Sequence, residues 1–453
     1  MKILSRPILV IFGSMLIAFS QVSAVSFTNI YVFPTDGFNS SNEETNGDGV
    51  SPDSLVLVGN TLYGTAYSGG GNGGGTFFRV DTDGSHFTNL FNFTMGTYDP
   101  NTGLYVGSTG TEPNPGLLLV SNAFYGTAFY GGADDAGTVF KINLDGSGFS
   151  VIENFAFTNG QGPSSGLTLY NNNLYGTTAG GGTNGYGTIF SINLGNLGFT
   201  EIYEFPSQAD AYGGVAVSSN GIFGFAYSGG AFGDGFVYRD GFDLFDFNGT
   251  NGWAPYSTPT LSGNNLYGVT FQGGTNGSGN IFRIDTDGQN FTNLYNFSSA
   301  DGANTDGVQP YDVAGLVLSG NILYGTTAFG GSGGQGTVFK ISTSGQGFTV
   351  LHSFQYTDGG QPGQLVLSGG TLYGAALVGI QGISLGDGSI FKLGLHPGLY
   401  LALAGTNAVL TWNDPSYSLY SAPTLSSAFT EISGATSPYT NGITGEQKYF
   451  ELQ

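Results

Sequence analysis

The run Leu62-Tyr63-Gly64-Thr65, followed by Thr76-Phe77-Phe78-Arg79-Val80 and then by Phe87-Thr88-Asn89-Leu90, carries the reading of this chain. Its aromatic-Gly pair recurs with first aromatics Tyr63, Tyr125, Tyr175, Phe223, Tyr267, Tyr324 and Tyr373, so the mean step between 63 and 373 is about 52 residues. A period of that size marks an array of supersecondary units. Inside the unit the spacing is tighter. The aromatic of the later run (Phe78, Phe140, Phe190, Tyr238, Phe282, Phe339) follows the first by 15 residues in six copies, and by 18 in the last, from Tyr373 to Phe391. The next Phe (Phe87, Phe149, Phe199, Phe291, Phe348) comes 9 residues later in five copies. Side chains of a strand alternate between faces, so so constant a register returns each ring to one packing layer.

Turn signals split the unit into four short strands, in the first copy at 55–58, 61–66, 76–81 and 87–93, with Asp83-Gly84 as a favoured hairpin dipeptide. The last copy lacks its fourth strand, because Phe391-Lys392-Leu393 runs straight into His396-Pro397. The missing motif stands at the other end of the chain, as Phe27-Thr28-Asn29-Ile30-Tyr31-Val32-Phe33. The pattern predicts an all-β fold: a seven-bladed β-propeller of four-stranded antiparallel blades, in which residues 27–33 complete blade seven and remove the open edge of a linear stack. An open β-solenoid would leave the permuted strand unexplained. The Gly after each first aromatic is expected to let an adjacent sheet approach closely. From Pro397 the pattern changes, and short apolar runs predict a small β-sandwich-like module over 397–453 with Trp412 in its core. A module that small is marginal alone.

Gly supplies 81 of the 453 residues and charged residues only 9 %. Few helix formers argue against an α-rich fold, and 37 Phe with 26 Tyr argue against disorder. With no Cys, burial and closure rather than disulfides have to hold the fold. Residues 1–24 read as a signal peptide: Lys2 and Arg6 begin it, an apolar stretch fills 8–19, and Val22-Ser23-Ala24 forms a small-residue cleavage site. The propeller is then expected over 25–396, in a protein that is secreted, extracellular or at the cell surface, with the periplasm as the other exported compartment. Loss of Lys2 and Arg6 would take the formal charge from −22 to −24. That balance argues against nucleic acid and anionic membrane surfaces as partners, since phosphate needs a basic footprint.

Leu62-Tyr63-Gly64-Thr65, Gly131-Gly132 and Gly137-Thr138-Val139-Phe140-Lys141-Ile142 resemble the repeat of the GloVer tandem-repeat proteins, also called choice-of-anchor, a family of secreted bacterial β-propeller proteins. The resemblance runs over about 27–395. It implies an exported propeller and brings no established activity or catalytic residue. Blade four departs by shortening its last hairpin to Asp240-Gly241, and blade seven by losing the paired Gly at Leu377-Val378-Gly379. The end of the chain resembles the small fibronectin-III-like module found on secreted bacterial proteins.

Chemistry-bearing motifs are sparse. His86 and His352 fall at fourth strands of blades far apart, and neither HExxH nor GxxxxGK[ST] occurs. Asp81-Thr82-Asp83-Gly84 tempts a calcium reading, yet Ser342-Thr343-Ser344-Gly345 keeps the same turn without carboxylates. The glycine loops are followed by strands rather than helices, so they are not phosphate cradles. No catalytic residue, metal or cofactor is expected. Up-and-down topology puts the glycine loops, the links and the insertions 34–53, 94–115 and 298–312 on one face, where recognition residues usually sit. Candidate binding residues there are Asp48, Tyr98, Tyr105, Trp253, Tyr256, Asp301, Asp306 and Tyr311. Aromatics beside carboxylates suit sugar rings or a partner protein. The expectation is a non-enzymatic propeller binding an extracellular polysaccharide or protein. A polysaccharide lyase or glycoside hydrolase, which needs two converging carboxylates, and a structural matrix or adhesion protein are the alternatives.

Overall fold

Short turns return the chain antiparallel to itself again and again, and no helix occurs among the described residues. The computed structural model describes residues 9–11, 26–34, 46–94, 96–100, 104–206, 209–298, 304–310, 315–379, 387–395, 400–404, 407–412, 418–424, 427–442 and 448–452. The first repeat forms the sheet Val50–Val58, Thr61–Ser68, Gly73–Asp81 and Thr88–Thr94. The same plan follows in sheets whose second strands are Ala123–Gly132, Asn173–Gly180, Gly221–Ala226, Asn265–Gln272, Ile322–Thr327 and Thr371–Val378. The last of these has the strand order Ser26–Val32, Ser389–Gly394, Thr371–Val378, Gly360–Ser368. The N-terminal segment thus takes the outer place that Thr88–Thr94 holds in the first sheet.

Within the insertion at 94–115, Thr97–Asp99 pairs with Leu104–Pro113, which widens the second sheet to six strands. The Gly after the first aromatic makes room mainly within its own sheet, and at Gly268 also for Phe225 of the preceding sheet. Gly64 lies opposite Phe78, and a Cβ there would come 2.5 Å from Phe78 Cζ. At Gly126 and Gly176 the same clash, at 2.6 Å, is with Phe140 and Phe190. Each glycine leaves a hollow that the ring across the strand pair fills.

That ring then meets the preceding sheet. Phe93 approaches Phe140 edge to face at 5.0 Å, and Phe155 meets Phe190 at 5.1 Å. Phe205–Tyr238, Phe247–Phe282, Phe297–Phe339 and Phe354–Phe391 repeat the contact at 5.3, 5.2, 5.5 and 5.2 Å. Phe33 meets Phe78 in the same way at 5.4 Å. All these rings are buried. The 9-residue spacing has its reason here too, because it lays Phe87 beside Phe78 and Phe149 beside Phe140, at 5.5 and 5.8 Å.

The chain divides into two compact units, residues 29–366 with 373–391, and residues 1–28, 367–372 and 392–453. In the second unit Tyr400–Ala404, Asn407–Thr411 and Tyr439–Gly442 form one sheet. Leu9–Ile11, Lys448–Leu452, Leu419–Ala422 and Thr430–Glu431 form another. Trp412 is buried, as a core residue should be, and its N–H donates to Ser437 Oγ at 2.9 Å.

If ring-over-glycine packing sets the sheet spacing, Gly176→Ala should destabilise the protein by about 1–3 kcal/mol through overpacking. Phe155→Ala should cost about 3–5 kcal/mol through the cavity it leaves. Chemical denaturation measures both, and a neutral Gly176→Ala would sink the account.

Candidate functional site

Every sheet but the fourth, which has Asp210-Ala211 instead, is entered from its link through an X-Pro step in which X has a left-handed backbone, at φ 54° for Ser51, 56° for Glu112, 56° for Ala254 and 51° for Gln361. That turn aims the N–H of X at the glycine loop of the preceding sheet. Gly162 N donates to Ala136 O at 2.9 Å, Ala254 N to Asp234 O at 2.9 Å, and Gln361 N to Gln335 O at 2.9 Å. The proline itself packs on the glycine that opens the preceding third strand, so a Cβ on Gly137 would stand 2.5 Å from Pro163 Cδ. Links and glycine loops therefore meet at one end of the sheets.

The predicted site residues divide. Asp48 accepts from Tyr31 Oη at 2.5 Å, and its carbonyl from Thr76 Oγ1 at 2.9 Å. Asp306 repeats this with Tyr295 Oη at 2.6 Å and Thr337 Oγ1 at 3.3 Å, and also accepts from Ser298 N. Burial and the neighbouring carboxylate push both phenols up. These two carboxylates pin links to their sheets. Tyr98 lies opposite Tyr105 in the inserted hairpin, though their side chains lie outside the described residues. Asp301 and Tyr311 also lie outside them. Trp253, opposite Gln272, is 42 % exposed. Tyr256 stacks on Tyr212 at 5.6 Å and meets Tyr227 edge-on at 5.7 Å.

Tyr212 and Tyr227 escaped the sequence reading. Tyr227 had a signal, since it stands four residues after a first aromatic, as do Tyr67, Phe129 and Phe271. Beside Tyr227, Ser228 Oγ donates to Asp210 Oδ2 at 2.8 Å. A second cluster bridges two sheets, where Tyr67 Oη donates to Glu112. Desolvation raises the Glu112 pKa against that hydrogen bond, and Tyr130 is raised by burial with Glu112 and Asp135 nearby. Planar aromatic faces and acceptor oxygens are the groups a sugar ring requires.

The first strands of successive sheets also touch. Gly116 N and Leu117 N donate to Ser54 Oγ at 3.1 and 3.0 Å, and Asn114 Nδ2 to Pro163 O at 2.5 Å. Ser164 Oγ donates to Tyr212 O at 3.0 Å, Gly214 N to Thr258 Oγ1 at 3.0 Å, and Thr326 Oγ1 to Gly363 O at 3.3 Å. Asp53 belongs to this layer, at a register shift between Pro52 and Ser54. It keeps some exposure, yet protein encloses it enough for desolvation to push its carboxyl up to about 7.

Elsewhere the polar groups serve turns. Asp83 Oδ1 accepts from Ser85 N at 2.9 Å, and Asp145 Oδ1 from Ser147 N at 3.0 Å, so the turn itself uses the carboxylates once considered for calcium. His86 pairs with Asp81 at 2.8 Å and His352 with Asp358 at 3.0 Å, each within its own repeat. Among the described residues no three His, Cys, Asp or Glu stand ready to hold a metal.

The raised Asp53 pKa sets a pH dependence. Between about pH 4 and 7 the folded chain keeps this proton while the unfolded chain has lost it, so stability falls as pH rises through that window. Asp53→Asn should flatten that stretch of the Tm–pH curve, and a curve parallel to the parent's would refute the assignment.

Residues 101–244 and 240–405 match the Gloeobacter/Verrucomicrobia repeat. No curated protein matches the chain. Among solved structures, the computationally designed Ika8 protein is 16 % identical at a TM-score of 0.45, over 81 % of this chain and 94 % of its own. A chain of the nidogen/laminin complex is 11 % identical at 0.37, over 73 % and 94 %. TolB from Acinetobacter baumannii is 11 % identical at 0.34, over 84 % and 60 %. With two tandem matches spanning well over half its length, the chain belongs to the Gloeobacter/Verrucomicrobia repeat family.

Proposed function

We propose that residues 25–396 form a seven-bladed β-propeller closed by the N-terminal strand, that the protein is exported, and that its link-and-loop end binds an extracellular polysaccharide without catalysing a reaction. Support for closure comes from equivalent contacts. Gly84 abuts Ile30 O as Gly146 abuts Leu90 O and Gly288 abuts Leu244 O. Asn29 Nδ2 donates to Asp358 O at 3.0 Å as Asn89 Nδ2 donates to Gly47 O at 2.6 Å. Ser51 N donates to Asp387 O at 2.7 Å, which ties the first link to the last sheet as other links are tied to their predecessors. Phe33, Phe78, Ala375 and Ile390 share one buried cluster.

Export rests on the leader at 1–24, and cleavage after Ala24 would withdraw Leu9–Ile11 from its pairing with Lys448–Leu452. Residues 397–453 would be the fibronectin-III-like end module. The observation that carries binding is the Tyr212–Tyr227–Tyr256 cluster, with Trp253 exposed three residues before Tyr256. Stacking on aromatic faces suits neutral sugar rings, and the acidic balance of the chain disfavours polyanions.

Affinity electrophoresis of the processed protein against a panel of polysaccharides tests this. A retarded band is expected, with Trp253→Ala and Tyr256→Ala each weakening binding about 2- to 13-fold, the equivalent of about 0.5–1.5 kcal/mol per aromatic contact. Unretarded migration on every polysaccharide, with capture of a protein partner instead, would overturn the polysaccharide reading. For closure, Phe33→Ala should cost about as much as Phe297→Ala, about 3–5 kcal/mol. A cost near zero would mean that the N-terminal strand is not a member of the ring.

A further inference from the structure

We propose that the link-and-loop end is a track of single aromatic rings spread over several sheets, which binds a neutral β-1,4-linked sugar chain along its length. The inference rests on the polysaccharide reading and names the class of chain. Its starting point is where exposed rings stand. Five glycine-loop regions each expose one: Tyr67, Tyr130, Tyr186, Phe232 and Phe329, between 37 % and 64 % exposed. Phe157, Trp253 and Tyr356 add exposed rings on or beside the links.

Packing does not account for the five loop rings. Rings that pack keep fixed spacings, because a layer returns them to one register. The loop rings stand 4, 5, 11, 9 and 5 residues after the first aromatic of their own copies. They share exposure at one end and no register. The loops that carry them are fastened, as where Gly71 N donates to Asn92 Oδ1 at 2.8 Å and Ala231 N to Asp246 Oδ1 at 2.7 Å. Tyr67 is held further, since its Oη donates to Glu112 of the second sheet. Groups already held in place lose little freedom on binding.

The surroundings name the ligand. A protein-docking patch is contiguous and apolar at its core, whereas here rings stand singly among glycines. The exposed aliphatic residues lie elsewhere, Leu169 and Leu197 at hairpin turns and Ile202 on a fourth strand. Arg79, Lys141, Arg239, Arg283 and Lys340 stand on third strands opposite Tyr63, Tyr125, Phe223, Tyr267 and Tyr324, toward the 3–4 hairpins. Among the described residues the loop end of these sheets has carboxylates such as Glu112, Glu204 and Asp246 and no Lys or Arg, so a polyanion is repelled. Pro113 against Gly75, Pro163 against Gly137 and Pro255 against Gly235 set successive loop ends side by side. Sheets packed face to face lie about 10 Å apart, so one sugar meets one ring and only a chain meets several. A β-1,4-linked chain is extended and offers a flat C–H face at each sugar, which suits such a track.

The test uses the processed full chain with a soluble β-1,4-linked glucomannan and the trisaccharide cut from it. In calorimetry the polymer should bind at least about tenfold tighter than the trisaccharide per sugar unit, because each further ring adds affinity once the chain is held. Tyr130→Ala and Phe329→Ala lie on the second and sixth sheets, away from the Tyr212–Tyr227–Tyr256 cluster of the fourth and fifth. Each should weaken the polymer about 2- to 13-fold, leave the trisaccharide within about twofold and leave the Tm nearly unchanged, as surface substitutions do. Phe329→Leu, which keeps an apolar side chain without a flat face, should match Phe329→Ala. Polygalacturonate, a polyanion, should not bind. Equal affinity per sugar for polymer and trisaccharide, remote variants that bind the polymer like the parent, full affinity in Phe329→Leu, or tight binding of polygalacturonate would each overturn the track and leave the polysaccharide reading standing. Failure of every carbohydrate to bind would remove that reading and the track with it.

Discussion

An edge-to-face contact between two buried rings recurs where one sheet packs on the next, from Phe93 on Phe140 to Phe354 on Phe391. It sets the rest of the packing. A ring that presents its face to the neighbouring sheet has to lie flat on its own sheet, and lying flat requires glycine at the opposite position on the second strand, as Gly126 is for Phe140. The second ring of each contact ends a fourth strand, and the Phe that starts that strand falls beside the third-strand ring of its own sheet. Three rings and one glycine thus define the layer, and the recurring spacings of 15 residues in six copies and 9 in five are its trace in the sequence.

Aromatic packing of this kind also decides where function is free to vary. The 3–4 hairpins are held close to the preceding fourth strand, as Gly146 is against Leu90 O. The opposite end is bound less tightly by the rings. There the links are fastened by backbone hydrogen bonds from X-Pro steps and by carbonyls such as Asp48 O and Asp306 O. A link needs to satisfy only its last few residues, so its earlier part can lengthen. The inserted hairpin at Thr97–Asp99 and Leu104–Pro113 is one product of that freedom, and the tyrosine cluster stands at the same end.

Period, strand number and the displaced Phe27–Phe33 motif were legible because ring spacing is local and repeats. The role of Gly64 was not, since a sequence cannot say whether the ring over a glycine comes from its own sheet or the next. Asp48 and Asp306 read as free acids because their tyrosine partners, Tyr31 and Tyr295, lie 17 and 11 residues away across links of different length. Trp253 and Tyr256 were singled out for their chemistry. Tyr212 and Tyr227 became visible only when the ends of first and second strands were brought together. Asp53 looked like one more acid at the end of an insertion, and only its desolvation in the fold sets it apart.

One correlation links the loops to the proposed ring. In the first sheet Gly71 N donates to Asn92 Oδ1 at 2.8 Å, and the same anchor follows at Ala133 with Asn154, Thr183 with Glu204, Ala231 with Asp246, Thr275 with Asn296 and Gly333 with Ser353. The acceptor always sits one residue before the Phe that ends the fourth strand. At that place the N-terminal strand has Val32, and the last repeat has lost its paired glycine, with Leu377-Val378-Gly379 instead. A Gly-Gly loop without an acceptor would leave an amide unmet, and an acceptor without the loop would be left unpaired. Both halves of the device are missing together, one near the start of the chain and one near its end. That joint loss is what membership of Ser26–Val32 in the last sheet requires, and a strand belonging to no sheet would have no reason to share it.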